Sequence, residues 1–147
     1  MPMIYRTILF LFIPLCIYFS IPPEILAQKT KEPVSKPEAK KLTLVEAAIC
    51  EGTRDQNPHN EAIVFSIKLR HVYCFTAFDP VPAKTVVYHK WFRRDKLSTT
   101  RKLSVEPPRW STFSRIRLRE ADKGPWHLEI TDKDGKVFQT LRFSITD

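Results

Sequence analysis

Only three glycines occur among 147 residues, which excludes a glycine-rich loop able to cradle phosphates with its backbone. The three cysteines include no Cys-x-x-Cys pair and the four histidines no His-x-x-x-His pair, so the spacings that mark a zinc site are missing. Ser98, Ser104, Ser111 and Ser114 all fall outside any Gly-x-Ser-x-Gly elbow, and no carboxylate stands in a recognisable relation to a histidine. A catalytic triad therefore has no footing. Helical periodicity is absent too: beyond Leu42 no apolar stripe recurs every three to four residues over a useful length. These gaps point away from an enzyme and imply no cofactor.

The chain begins with a secretory signal pattern. Arg6 supplies the positive start, Ile8 to Ile21 the apolar stretch, and Pro22 and Pro23 open a segment ending Ile25-Leu26-Ala27. The expected cleavage follows Ala27, so residues 1–27 read as a signal peptide. The apolar stretch is shorter than the ~20 residues that span a bilayer and is weakened by Pro14, so an uncleaved signal anchor is the lesser alternative, and no stable membrane span is expected after cleavage. Cys16 is preceded by Leu15 rather than the small residue that lipidation needs. The expected destination is the periplasm or the exterior. Residues 28–41 are rich in Lys and Pro with little to bury, the composition of a flexible linker.

From residue 42 to 147 the texture is one of short β-branched and aromatic runs between Pro, Gly, Asp and Asn. Eight strands are predicted: Leu44 to Cys50, Ala62 to Lys68, Val72 to Phe78, Thr85 to Arg93, Thr99 to Val105, Thr112 to Arg119, Trp126 to Thr131 and Lys136 to Ile145. The fold expected is a single all-β domain, an immunoglobulin-like antiparallel sandwich of about seven or eight strands. Asp132-Lys133-Asp134-Gly135 supplies the turn of the last hairpin. Export would place Cys50 and Cys74 where disulfides persist, and a bridge between them would add about 3 kcal/mol. Two separately buried thiols are the alternative.

The elements His89-Lys90-Trp91, Arg109-Trp110-Ser111-Thr112-Phe113-Ser114 and Gly124-Pro125-Trp126-His127-Leu128-Glu129-Ile130 come in a telling order. With Asp134-Gly135 and Phe143 behind them, and Ala48-Ile49-Cys50 and Val72-Tyr73-Cys74-Phe75-Thr76 ahead, residues 44–145 resemble an uncharacterised bacterial family, domain of unknown function 2914 (DUF2914). The resemblance implies a compact β domain on an exported or membrane-tethered chain, with no activity attached.

Three functional features remain. On a strand from Thr85 to Arg93, Val87, His89 and Trp91 share one face. Turned inward, they make a buried Trp with a hydrogen-bonded His; turned outward, His89 and Trp91 make a platform for a sugar or peptide that Trp110 and Ser114 could join. Cys50, Cys74, His71 and His89 offer the ligand types of zinc or copper, a metal-binding alternative resting on ligand identity alone. The third feature is charge. Between Lys84 and Arg119 stand eleven basic residues against Asp95 and Glu106, a surplus of +9 where the whole chain carries +8. Arg115, Arg117 and Arg119 alternate with Ile116 and Leu118, lining three guanidinium groups on one strand face. Such a face either keeps the protein soluble and guards an edge, or attracts polyanions.

The reading favoured is an exported, non-enzymatic binding or accessory module. Arg93, Arg94, Arg115, Arg117 and Arg119 are its anion-contact candidates, joined by His89, Trp91 and Trp110. Export argues against nucleic acid, leaving anionic envelope lipid, glycan or an acidic protein as partner. A purely structural subunit of an envelope assembly is a further alternative.

Overall fold

The computed structural model describes residues 40–147; the expected signal peptide and nearly all of the expected linker lie outside the described residues. Nine strands follow in order: β1 (Leu44–Arg54), β2 (Asn57–Glu61), β3 (Val64–Ser66), β4 (His71–Phe78), β5 (Thr85–Arg93), β6 (Lys96–Val105), β7 (Trp110–Arg117), β8 (Gly124–Asp132) and β9 (Val137–Thr146). Short 3-10 turns occupy Ile67–Leu69 and Glu120–Asp122. The strands form a four-stranded sheet, β2-β1-β4-β7, and a five-stranded sheet, β3-β9-β8-β5-β6. The all-β sandwich expected from the sequence is the fold, with nine strands in place of seven or eight. One pairing, β3 with β9, is parallel.

Period-two alternation explains which side chains meet. On β4, Val72, Cys74, Thr76 and Phe78 are buried, and on β5 Val87, His89 and Trp91 are buried. Leu128 and Ile130 of β8 and Phe143 and Ile145 of β9 complete the opposing layer. Trp91 meets the Phe143 ring edge-on at 6.0 Å, and Phe65 does the same at 6.1 Å. Each fully buried apolar side chain of this kind contributes about 1.5–3 kcal/mol.

The two departures from expectation share a cause. β2 is not foreseen because Asn57-Pro58-His59-Asn60-Glu61 has little β propensity and contains a proline; it is tolerated because β2 is an edge strand. β6 begins three residues earlier than predicted because Arg94-Asp95 is a tight two-residue turn. The sequence signal for such turns is Asn-Gly or Asp-Gly. Here the positive φ is carried by non-glycine residues, Arg94 (46°) and Asp95 (63°), and likewise by Asp55 (49°) and Gln56 (59°) between β1 and β2. The last hairpin is as predicted: Asp132 Oδ1 accepts from the backbone N–H groups of Asp134 and Lys136, and Gly135 takes φ 87°.

The expected bridge between Cys50 and Cys74 is corrected: both are free thiols. The β1–β4 register pairs Ile49 with Cys74 and Cys50 with Tyr73. Directly opposed residues share a face and adjacent ones do not, so the two cysteines occupy opposite faces of one sheet. Cys74 packs in the core. Cys50 faces outward yet is buried, on the side where Thr53 and Gln56 of the β1–β2 hairpin come over Phe75. Burial pushes both thiols up, Cys74 strongly, which makes them poor nucleophiles and poor metal ligands.

Candidate functional site

His89 and Trp91, considered above as a binding platform, face inward and are fully buried. They belong instead to a polar chain that ties the two sheets together. Trp91 Nε1 donates to Ser114 Oγ at 3.1 Å, and Ser114 Oγ lies 2.8 Å from His89 Nδ1. On the other side of the ring, Nε2 lies 3.3 Å from Thr76 Oγ1, which donates to the Thr112 carbonyl at 3.4 Å. Only one assignment satisfies every donor. Thr76 spends its proton on Thr112, so Nε2 carries the imidazole hydrogen; Ser114 then donates to Nδ1 while accepting from Trp91. The ring is neutral, and burial lowers the His89 pKa from 6.5 to about 4. This is a structural role.

The basic residues divide into two groups. Arg93, Arg94 and Arg119 converge, with Lys96, Leu97, Ser98 and Asp122, on a cleft of about 360 Å³. The β5–β6 turn forms one wall and the 3-10 turn after β7 the other. Asp122 is the fixed point: only 3% exposed, it accepts from the Arg119 backbone N–H at 2.8 Å and from Arg119 Nε at 3.2 Å. Arg93 Nη1 lies 3.9 Å from Asp122 Oδ1, and its buried Nε has no acceptor among the described residues. Trp126 Nε1 donates to the Asp122 carbonyl at 2.7 Å, anchoring that wall to the core.

Gly124 has φ +113°, a backbone conformation that L side chains rarely adopt, and the Arg94 guanidinium lies beside it, at ordinary contact distance (3.4 Å) from where a Cβ would stand. The Arg94 backbone N–H is held by the Pro125 carbonyl at 3.1 Å. Four cationic side chains and one carboxylate line the cleft, an excess of three positive charges.

Arg115 and Arg117 do not reach this cleft. They point outward from β7 opposite Tyr73 and His71 of β4. Arg115 Nη1 donates to Tyr73 Oη at 3.2 Å and its guanidinium carbon lies 5.9 Å from the Tyr73 ring centre. Among the described residues neither arginine has a carboxylate within 4.0 Å. Trp110 opens β7 at 38% exposure, apart from His89 and Trp91, so the three do not form one surface.

The metal-binding alternative loses its basis in the same geometry. Cys50 and Cys74 face opposite ways, and both His89 nitrogens are engaged. Among the described residues no group of three or more His, Cys, Asp or Glu is placed to hold a metal ion. No helix among them is long and apolar enough to cross a membrane.

The cleft, the β7 row and the buried chain from Trp91 to Ser114 all fall within one stretch of sequence. Residues 84–145 match the family model described as Protein of unknown function (DUF2914). The DUF2914 match thus runs from β5 to all but the last residue of β9, including every described residue lining the cleft, and agrees with the family that the sequence resembles over a shorter span than residues 44–145. No curated protein matches this chain. Among solved structures, the extracellular domain of a putative one-component system from B. thetaiotaomicron aligns with 76% of this chain at 18% identity and a TM-score of 0.37. The chain spans only 16% of that protein's length.

Sequence reasoning reached Arg93, Arg94 and Arg119 through charge but missed Lys96 and Asp122. The crowding of Arg93, Arg94 and Lys96 around a turn is hidden in the sequence, because Arg94-Asp95 lacks the glycine that marks such turns. The contact with residues 119–122 is long-range, and nothing local announces it.

Proposed function

We propose that this domain is a non-enzymatic, exported binding module that holds an anionic envelope component in the cleft between the β5–β6 turn and the turn after β7. The observation that carries this reading is the convergence of Arg93, Arg94, Lys96 and Arg119 on one concave site with Asp122 as the sole carboxylate among the described residues that line it. Excess charge in a concavity raises the local concentration of counter-ions and focuses the field on it. Asp122 supports binding by orienting Arg119 and Arg93, while leaving the net charge positive. The signal pattern of residues 1–27 supports export.

Polygalacturonate, a soluble polyanion, is a suitable probe. Its affinity is expected to fall steeply as salt rises from dilute buffer toward physiological strength, because exposed charges are screened within about 8–10 Å. A variant carrying Arg93→Ser, Arg94→Ser and Lys96→Ser is expected to bind on the order of tenfold or more weakly at low salt, since each tenfold step needs only about 1.4 kcal/mol. Equal binding by that variant, with an unchanged melting temperature, would contradict the proposal.

A further inference from the structure

The outward row of β7 continues into the cleft. Alternation sends Ser111, Phe113, Arg115 and Arg117 to the outer face of the four-stranded sheet, opposite Ala77, Phe75, Tyr73 and His71. The chain does not turn at the end of β7. Leu118 is buried and Arg119 is extended, with φ −124° and ψ 159°, so Arg119 takes the next outward position and delivers the row to the cleft wall. From Phe113 to Arg119 the row runs about 20 Å at the usual rise of an extended chain. Arg115 and Arg117 along it have no acidic partner among the described residues.

The far end of the row has a different chemistry. Phe113 is 48% exposed and leans on Tyr73 with ring centres 6.0 Å apart. Beside it is a hollow of about 150 Å³ lined by Thr53, Gln56, Phe75, Ser111, Thr112 and Phe113. That lining holds hydroxyls, one amide and two aromatic rings, and no charge. Hydroxyl and amide groups around an aromatic face suit a sugar ring, which offers C–H groups to the ring face and hydroxyls to the polar rim. A lipid headgroup or an acidic protein would use the arginines but has no need of this hollow.

We infer that β7 receives a linear acidic glycan: one sugar ring sits at Phe113 with its hydroxyls on Thr53, Gln56 and Ser111, and its carboxylates follow Arg115 and Arg117 into the cleft. This rests on the reading of the cleft as an anion site. The apolar ring, the Arg115 and Arg117 guanidinium groups without a carboxylate partner among the described residues, and Arg119 held by Asp122 at the end of the row, spaced by the pleat at roughly 7 Å, are complementary to an extended chain bearing charge at intervals.

Oligogalacturonates of increasing length test it by isothermal titration at low salt. Affinity is expected to rise from dimer to tetramer to octamer, and Phe113→Ser to weaken the octamer on the order of tenfold while leaving the dimer unaffected. Gln56→Ala, also at the surface, is expected to act in the same direction. If Phe113→Ser and Gln56→Ala bind the octamer like the parent while the cleft variant binds weakly, the glycan track is overturned and the cleft reading stands. If only the Phe113 and Gln56 variants weaken binding, the cleft reading fails and the continuous track with it. Length-independent binding would also overturn the track, as would retention on phosphatidylglycerol vesicles with no affinity for any oligogalacturonate.

Discussion

Replacing Trp91 with alanine is expected to remove about 3–5 kcal/mol of folding stability, the range for truncating a fully buried tryptophan. Two effects add. The indole fills the middle of the sandwich against Phe143, and a cavity there collapses only in part because both layers are held by their own ladders. Its N–H also anchors Ser114, which would otherwise keep one partner fewer in a buried site. A domain of this size has on the order of 5–15 kcal/mol to lose, so the variant should sit close to its unfolding threshold. Urea denaturation would show a much lower midpoint with little change in slope. A loss below about 1 kcal/mol would mean that the core is not organised around this residue.

Acidification should act on the same chain of hydrogen bonds through His89. Burial places its folded pKa near 4, against 6.5 when exposed. As pH falls, the unfolded chain therefore takes up the proton first. The stability associated with neutral His89 is fully present above about pH 6.5 and is lost progressively as pH falls toward 4, for a total of about 3 kcal/mol. The hydrogen-bond directions give the same sign, since a proton on Nδ1 would face a Ser114 hydroxyl already committed to donating there. Urea midpoints across this pH window should decline in the parent protein. A His89→Gln variant should be less stable at neutral pH but nearly flat across the window. Parallel declines in the two proteins would assign the acid sensitivity to other groups.

Most of the sandwich was legible because its strands alternate cleanly. Trp126-His127-Leu128-Glu129-Ile130 shows the period of a half-buried strand and the structure uses it so, whereas Val72 to Phe78 is a short, nearly continuous apolar run that the structure buries on both faces at Cys74, Phe75 and Thr76. What escaped reading was geometry carried by unusual residues. Arg94-Asp95 and Asp55-Gln56 make tight turns without glycine, and two separate, apparently polar segments conceal β2 and the start of β6. The thiols show a second limit. Cys50 and Cys74 lie at a spacing that permits a bridge, yet whether it forms depends on register, and a shift of one residue moves a side chain to the other face. The charge surplus of residues 84–119 was plain in the sequence. Its division into a cleft and a row was not, because Asp122, the residue that gathers Arg93 and Arg119, is brought to them by the crossing from β7 in one sheet to β8 in the other.

The central claim is that this basic domain recognises its ligand through one built concavity rather than through diffuse surface charge. Amide chemical-shift mapping during titration with octagalacturonate addresses it residue by residue. The account predicts saturable shifts concentrated at residues 93–98 and 119–123, extending along β7 toward Phe113. Shifts spread evenly over lysines and arginines of both sheets, with no saturation at the cleft, would contradict it.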